Sequence, residues 1–157
     1  MPNDVGWSAA PLRLWPTRRR KLSTSSIVYG LLYHVSDPEV ALSAMAQQCK
    51  GMLLLETCVS FGSHEAVNLV VEERTELTQS FEGPGCRPTR PWIYSRLKSL
   101  FPFVYVPTTQ PAHEEFPLDW TSPPPDVSRL TRSVFIASRQ PITNELLLDY
   151  LPNHQTT

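Results

Sequence analysis

The hydrophobic pattern is clearest in the first half of the chain. Residues 27–33 (IVYGLLY) form a continuous apolar run rich in strand formers, which predicts a strand covered on both faces. A helix start follows at once, because Ser36 or Asp37 can cap the helix and Pro38 suits its first position. The pattern therefore predicts a strand followed directly by a helix.

The helix is expected to lead into a second strand. Gly51 stands where a helix commonly ends, and residues 52–59 (MLLLETCV) are typical of another buried strand. Strand, helix and strand within this length match one βαβ unit, which predicts two parallel strands joined by a right-handed connection. The helix positions expected to form one buried stripe are Val40, Ala41, Ala44, Met45 and Cys49.

The rest of the chain has shorter patterns. The segment after residue 107 (TTQPAHEEFPLDWTSPPPD) is too long for a plain connector, and such loops are usually functional or disordered. We predict three parts: an irregular basic arm at 1–26, an α/β domain at 27–151 and a frayed tail at 152–157. The other predicted elements are a turn-rich loop at 83–91, a short helix with Ile93, Leu97 and Leu100 on one face, strands at 103–106 and 134–137, and a helical turn at 146–150.

Composition narrows the class of protein. A length of 157 residues suits one domain, and 41% hydrophobic with 18% charged residues is typical of a globular chain. Fourteen basic and fifteen acidic side chains give a formal charge of −1, which argues against nucleic acid as a partner. No run reaches the roughly 20 apolar residues of a membrane span. Three cysteines without a CxxC spacing, and histidines without metal-ligand spacing, favour a reducing cytoplasm and predict no metal site.

Candidate chemistry lies where the two predicted strands end. Ligands bind beyond the carboxyl ends of parallel strands, and Tyr33 and His34 follow the first strand while Glu56 lies near the end of the second. These side chains are expected to share one rim. The alternative is structural: His34 bonds a loop carbonyl, and Glu56 pairs with an arginine, as a buried carboxylate requires.

A second group of residues lies in the two later loops. Arg87, Arg90 and Trp92 follow one another closely, and His113 and Trp120 occur in the proline-broken segment. Arginines beside aromatic rings can hold a substrate by ion pairing and stacking, which predicts a substrate pocket. The alternative is a lid that packs its own aromatic side chains.

These motifs resemble a known family. Residues 29–60 (YGLLYHVSDPEVALSAMAQQCKGMLLLETCVS) resemble the middle of class I S-adenosylmethionine-dependent methyltransferases, and residues 85–120 and 132–139 look like the C-terminal half of related enzymes. The resemblance implies an α/β fold with a partial Rossmann-like sheet. The four predicted strands would be equivalent to the family's fourth to seventh strands. They would be parallel except for the last strand, which would be inserted antiparallel.

The resemblance also implies roles for residues. S-adenosylmethionine would be the cofactor, with Gly30, Leu31 and Tyr33 near it. The enzyme would act by positioning an acceptor in line with the methyl group, and His34 or Glu56 would take a proton from that acceptor. The resemblance does not indicate which acceptor is methylated.

The chain departs from the family before residue 27. The family's glycine-rich cofactor turn does not occur there, so we expect a truncated methyltransferase homologue that retains the acceptor-side half. The first strand would then have a bare edge, which predicts a homo-oligomer or a partner subunit. The alternative function is a non-catalytic pseudo-enzyme or split-enzyme subunit that docks through this edge. A small RNA-binding accessory protein is a third hypothesis, against which the near-zero charge argues.

Overall fold

The computed structural model describes residues 23–70, 85–124 and 129–157, so most of the predicted arm lies outside the described residues. Ser23 to Ser26, which were predicted to belong to the arm, are part of the first strand. The elements are β1 (Ser23–Tyr29), a 3₁₀ turn (Leu32–His34), α1 (Pro38–Gln48), β2 (Cys49–Cys58), β3 (Val67–Val70), β4 (Gly85–Pro88), α2 (Arg90–Leu100), β5 (Phe103–Pro107), β6 (Arg132–Ser138) and β7 (Leu147–Leu148).

Five strands form one sheet in the order β1-β2-β6-β5-β7, and β3 pairs with β4 separately. β1 and β2 are parallel neighbours, which confirms the prediction for the βαβ unit. The other three pairings are antiparallel, so the sheet is mixed and mostly antiparallel. Because β6 is antiparallel to both β2 and β5, it runs against β1, β2 and β5, which share one direction. The prediction of an inserted antiparallel strand is therefore confirmed.

The predicted start of α1 is confirmed, but its predicted end is wrong. The Asp37 carboxylate accepts a hydrogen bond of 3.0 Å from the Val40 backbone N–H, and Pro38 occupies the first turn. The backbone becomes extended at Cys49, so Gly51 lies inside β2. The chain turns directly from helix to strand and needs no left-handed residue there.

The buried face of α1 differs from the predicted stripe. Leu42 and Ala46 are buried, whereas Val40 is 63% exposed and Ala44 is exposed as well. Small apolar residues occur on several sides of this helix, so the sequence pattern does not define which side packs on the sheet. The prediction for α2 is confirmed: Ile93 and Leu97 are fully buried. No helix in the described ranges is long and apolar enough to cross a membrane.

The core lies on one face of the sheet. Leu53 and Leu55 of β2 and Phe135 of β6 are fully buried there with side chains of both helices. On the opposite face of β1, Ile27 is 76% exposed and Tyr29 is 71% exposed. Among the described residues, β1 is therefore not covered on both faces as predicted, and it forms an edge of the sheet.

The C-terminal segment differs from its prediction. Residues 147–148 pair with β5 as β7, where a helical turn was predicted. The tail, predicted to fray, is fixed instead: Gln155 is 6% exposed, and its amide donates to the Pro107 carbonyl at 2.7 Å. The indole N–H of Trp120 donates to the Gln155 side chain at 2.8 Å. The tail therefore supports the long loop that follows β5.

Candidate functional site

The turn after β1 is organised around Gly30. β1 ends at Tyr29, not at residue 33 as predicted, because Gly30 adopts a φ of 64° and the 3₁₀ turn follows. This left-handed conformation favours glycine. The Gly30 N–H donates two hydrogen bonds to Glu56. One goes to the backbone carbonyl oxygen at 3.2 Å, and the other goes to the side-chain Oε2 at 3.0 Å. The two parallel strands are thus joined at their carboxyl ends by a backbone-to-carboxylate contact.

Arg132 connects two carboxylates beside this turn. Its Nη1 lies 3.0 Å from Glu56 Oε1, and its Nε lies 2.6 Å from Glu115 Oε2. The side chains of Arg132 and Glu56 are only 13% and 6% exposed. Burial opposes the charge of Arg132, but hydrogen bonds to Glu56, Tyr33 and Glu115 raise its pKa above the ordinary value. We call these three charged residues the Arg132 cluster: Glu56, Glu115 and Arg132.

The Arg132 cluster lines a cavity of about 470 Å³. The cavity lies on the uncovered face of the sheet, at the carboxyl ends of β1 and β2. The loop after β5 provides its other wall, which includes His113. We call it the sheet-face cavity, and its lining residues are Ile27, Val28, Tyr29, Leu54, Glu56, Pro111, His113, Glu115, Phe116, Arg132 and Val134.

The predicted catalytic residues come together only in part. The Arg132 guanidinium carbon lies 5.3 Å from the centre of the Tyr33 ring. The His34 ring lies against Tyr33, with centroids 4.1 Å apart. His34 does not line the sheet-face cavity, although Glu56 does. The strands are adjacent and parallel as predicted, but the imidazole lies behind Tyr33.

A second cavity, of about 610 Å³, lies around Arg90 and Trp120. Arg90 is 5% exposed, and its guanidinium carbon lies 3.9 Å from the centroid of the Trp120 ring. Phe61 also stacks on Trp120, with centroids 5.1 Å apart. We call this the Arg90 cavity, and its lining residues are Ser60, Phe61, Gly62, Ser63, Arg90, Pro91, Trp120, Thr121, Pro123, Leu151, Pro152 and Asn153.

The predicted substrate residues are distributed over several places. Arg90 and Trp120 both line the Arg90 cavity and contact each other, and His113 lines the sheet-face cavity. Trp92 is 7% exposed and packs in the core. Arg87 lines a third, smaller cavity of about 190 Å³. One shared pocket for all five residues does not form in the described part of the chain.

Two residues of the site escaped the sequence analysis. Arg132 begins β6, and only its pairing opposite Cys58 shows that it lies beside Glu56. An unpaired buried carboxylate in an apolar strand was the one signal that a cation must lie nearby. Glu115 lies 17 positions before Arg132 in the sequence, in a loop whose path the sequence does not reveal.

Cys58 is adjacent to the Arg132 cluster but is unsuited to nucleophilic chemistry. Its side chain is fully buried, and burial raises the pKa of its thiol to about 11. The thiol is therefore protonated at neutral pH, whereas the thiolate is the reactive form. We therefore assign Cys58 a role in packing.

No protein-family model and no curated protein sequence matches the chain. Two similar solved structures are crystal structures of the N-terminal domain of EvdMO1, one in the presence of SAH and D-fucose and one with SAH bound. Each has a TM-score of 0.49 and 19% identity over 74% of this chain, and the matches cover 47% and 46% of those chains. This chain thus spans about half the length of these structures.

Proposed function

We propose that this chain supplies the acceptor-side half of a class I S-adenosylmethionine-dependent methyltransferase. The observation that carries the proposal is the position of β6, the last long strand in the sequence, between β2 and β5 and antiparallel to both. The sequence resemblance implies such an inserted last strand, so strand order and sequence motifs agree. β1, β2, β5 and β6 would then be equivalent to the family's fourth, fifth, sixth and seventh strands.

Both cavities support a role in acceptor binding. The Arg90 cavity is lined by residues that follow the carboxyl end of β2, and the sheet-face cavity reaches Tyr29 and Glu56 near the carboxyl ends of β1 and β2. Open α/β sheets bind ligands at that end of their strands. The loop after β5 lines both cavities, which gives a function to a segment too long for a connector. The proposed roles of His34 and Glu56 in proton transfer stay predictions. The Glu56 carboxylate also accepts hydrogen bonds from the Gly30 N–H and from Arg132.

The residues after β1 are the proposed contacts for one end of the cofactor. Leu31 is 52% exposed at the turn, and a Cβ on Gly30 would lie 3.6 Å from the Tyr33 hydroxyl oxygen, so this turn offers a small, partly open surface. The Gly30 N–H, however, is already bonded to Glu56. We therefore expect Gly30, Leu31 and Tyr33 to contact the cofactor by van der Waals packing and not through the Gly30 N–H. S-adenosylmethionine would supply the methyl group.

Binding of S-adenosylhomocysteine to the full chain tests the proposal. We expect saturable binding in equilibrium dialysis, and we expect Leu31→Asp to weaken it at least about ten-fold, because a carboxylate desolvated at a contact surface costs more than one factor of ten in affinity. Leu146→Asp is the matched control, since Leu146 is 56% exposed and directly precedes β7, at the opposite edge of the sheet from β1. Equal weakening by both variants, or no saturable binding by the wild-type chain, would refute cofactor binding by this chain.

One observation favours a second candidate function, a non-catalytic or split-enzyme subunit. Within the described ranges, β1 has a neighbour on one side only, and Ile27 and Tyr29 expose apolar surface beside that edge. Unpaired strand edges pair readily with another chain. Absence of S-adenosylhomocysteine binding, together with a wild-type chain that is folded, would favour this function over the first.

A further inference from the structure

Arg90 is a buried cation that has no carboxylate partner among the residues that the structure describes. Its Nη1 donates to the Pro152 carbonyl at 3.2 Å, while its Nε and Nη2 are buried and have no hydrogen-bond partner among the described residues. Burial lowers the pKa of Arg90 to about 10, so the side chain remains charged at neutral pH. Buried charges are ordinarily paired, and an uncompensated one attracts an anion strongly in a low-dielectric site.

The surroundings of Arg90 add to this attraction. α2 begins at Arg90, with Thr89 as its cap, so the positive end of the helix dipole lies at the cavity. Among the described lining residues, Arg90 is the one charged side chain. The other walls combine apolar surface from Phe61, Trp120 and Leu151 with hydroxyl and amide groups. The described lining therefore has a single cation, no carboxylate, and a mixture of apolar and neutral polar surface.

We propose that the Arg90 cavity binds a small organic anion, with a carboxylate or phosphate group directed to Arg90 and an apolar body against the aromatic walls. A volume of about 610 Å³ is within the range of small-molecule sites. Identification of this anion as the methyl acceptor rests on the proposed function, whereas binding of the anion does not.

Benzoate and its neutral isostere benzamide test the charge requirement. The probe signal is the indole N–H of Trp120, assigned in a ¹⁵N spectrum by its loss in Trp120→Phe. We expect benzoate to bind at least about ten-fold more tightly than benzamide, because charge-assisted hydrogen bonds to guanidinium are available to one probe alone. Phenyl phosphate in a parallel titration distinguishes the anion type. Equal affinities for benzoate and benzamide, or no shift with any probe, would overturn the proposal.

Variants locate the effect at Arg90. Arg90→Gln is expected to remove the preference for benzoate, whereas Arg96→Gln, on the same helix but paired with Glu39 at 3.0 Å, should retain it. Ser63→Asp tests the same point without altering a buried residue, since Ser63 is exposed in the cavity lining. It should weaken benzoate binding at least about ten-fold and leave benzamide binding unchanged. The matched control is Ser36→Asp, outside the lining, and an equal effect of both serine variants would overturn the proposal.

Titration of the same samples with S-adenosylhomocysteine separates the two proposals. A benzoate preference without S-adenosylhomocysteine binding would support the anion site and refute cofactor binding by this chain. S-adenosylhomocysteine binding without a benzoate preference would refute the anion site and leave the proposed function standing.

Discussion

Replacement of Arg132 by methionine is expected to lower the free energy of unfolding by about 3–5 kcal/mol. The guanidinium holds Glu56 at 3.0 Å and Glu115 at 2.6 Å, and its side chain is 13% exposed. Without the guanidinium, the Glu56 carboxylate stays buried. Among the described contacts, it then accepts a hydrogen bond from the Gly30 backbone N–H alone. Loss of one partner of a buried pair costs far more than the pair itself contributes, since the remaining charge is uncompensated.

Urea denaturation followed by circular dichroism measures this loss. Arg96→Met is the control, because Arg96 and Glu39 form an ion pair whose side chains are 40% and 51% exposed. Such surface pairs contribute about 0–1 kcal/mol. A second variant, Arg132→Met with Glu56→Gln, should recover part of the loss, since the uncompensated charge is removed. If Arg132→Met were no more destabilising than Arg96→Met, the Arg132 cluster would not be a buried network.

Replacement of Phe135 by alanine is expected to destabilise the protein by about 3–5 kcal/mol. Phe135 is fully buried on β6, opposite Leu55 of β2, at the centre of the sheet. Truncation removes apolar surface from the core and leaves a cavity that both helices and the sheet can fill only in part. Thermal or urea unfolding of the variant measures the cost.

The neighbouring residue provides the control for Phe135. Val134 precedes it on the same strand but lies on the sheet-face cavity side and is half-buried. Val134→Ala is expected to lower the free energy of unfolding by about 1 kcal/mol, because it removes only two methyl groups from a side chain that is already half-buried. Comparable losses for the two variants would contradict a sheet with a core on one face only.

The sequence predicted the βαβ unit and the amphipathic α2 because both have strong local signals. Asp37 and Pro38 define the start of α1, and Ile93 and Leu97 define the buried face of α2. These features depend on neighbouring residues alone. The resemblance, in addition, implied the antiparallel insertion of β6, which no local pattern could have revealed.

Features that depend on distant residues could not be predicted. Glu56 finds its partner Arg132 through the pairing of β2 with β6, across 76 positions of sequence. The buried face of α1 is selected by the way the helix lies on the sheet, which explains why Leu42 was missed and Val40 was wrongly included. Arg90 and Trp120 were expected to contact a substrate, but their mutual stacking follows from the path of the loop after β5.

Strand order is the claim on which the functional account depends, and nuclear Overhauser contacts between backbone protons of the full chain measure it most directly. The expected result is Phe135 opposite Leu55, Ile136 opposite Tyr105 with antiparallel patterns, and a parallel pattern between β1 and β2. Contacts that place β6 at an edge of the sheet, or β1 antiparallel to β2, would contradict the account.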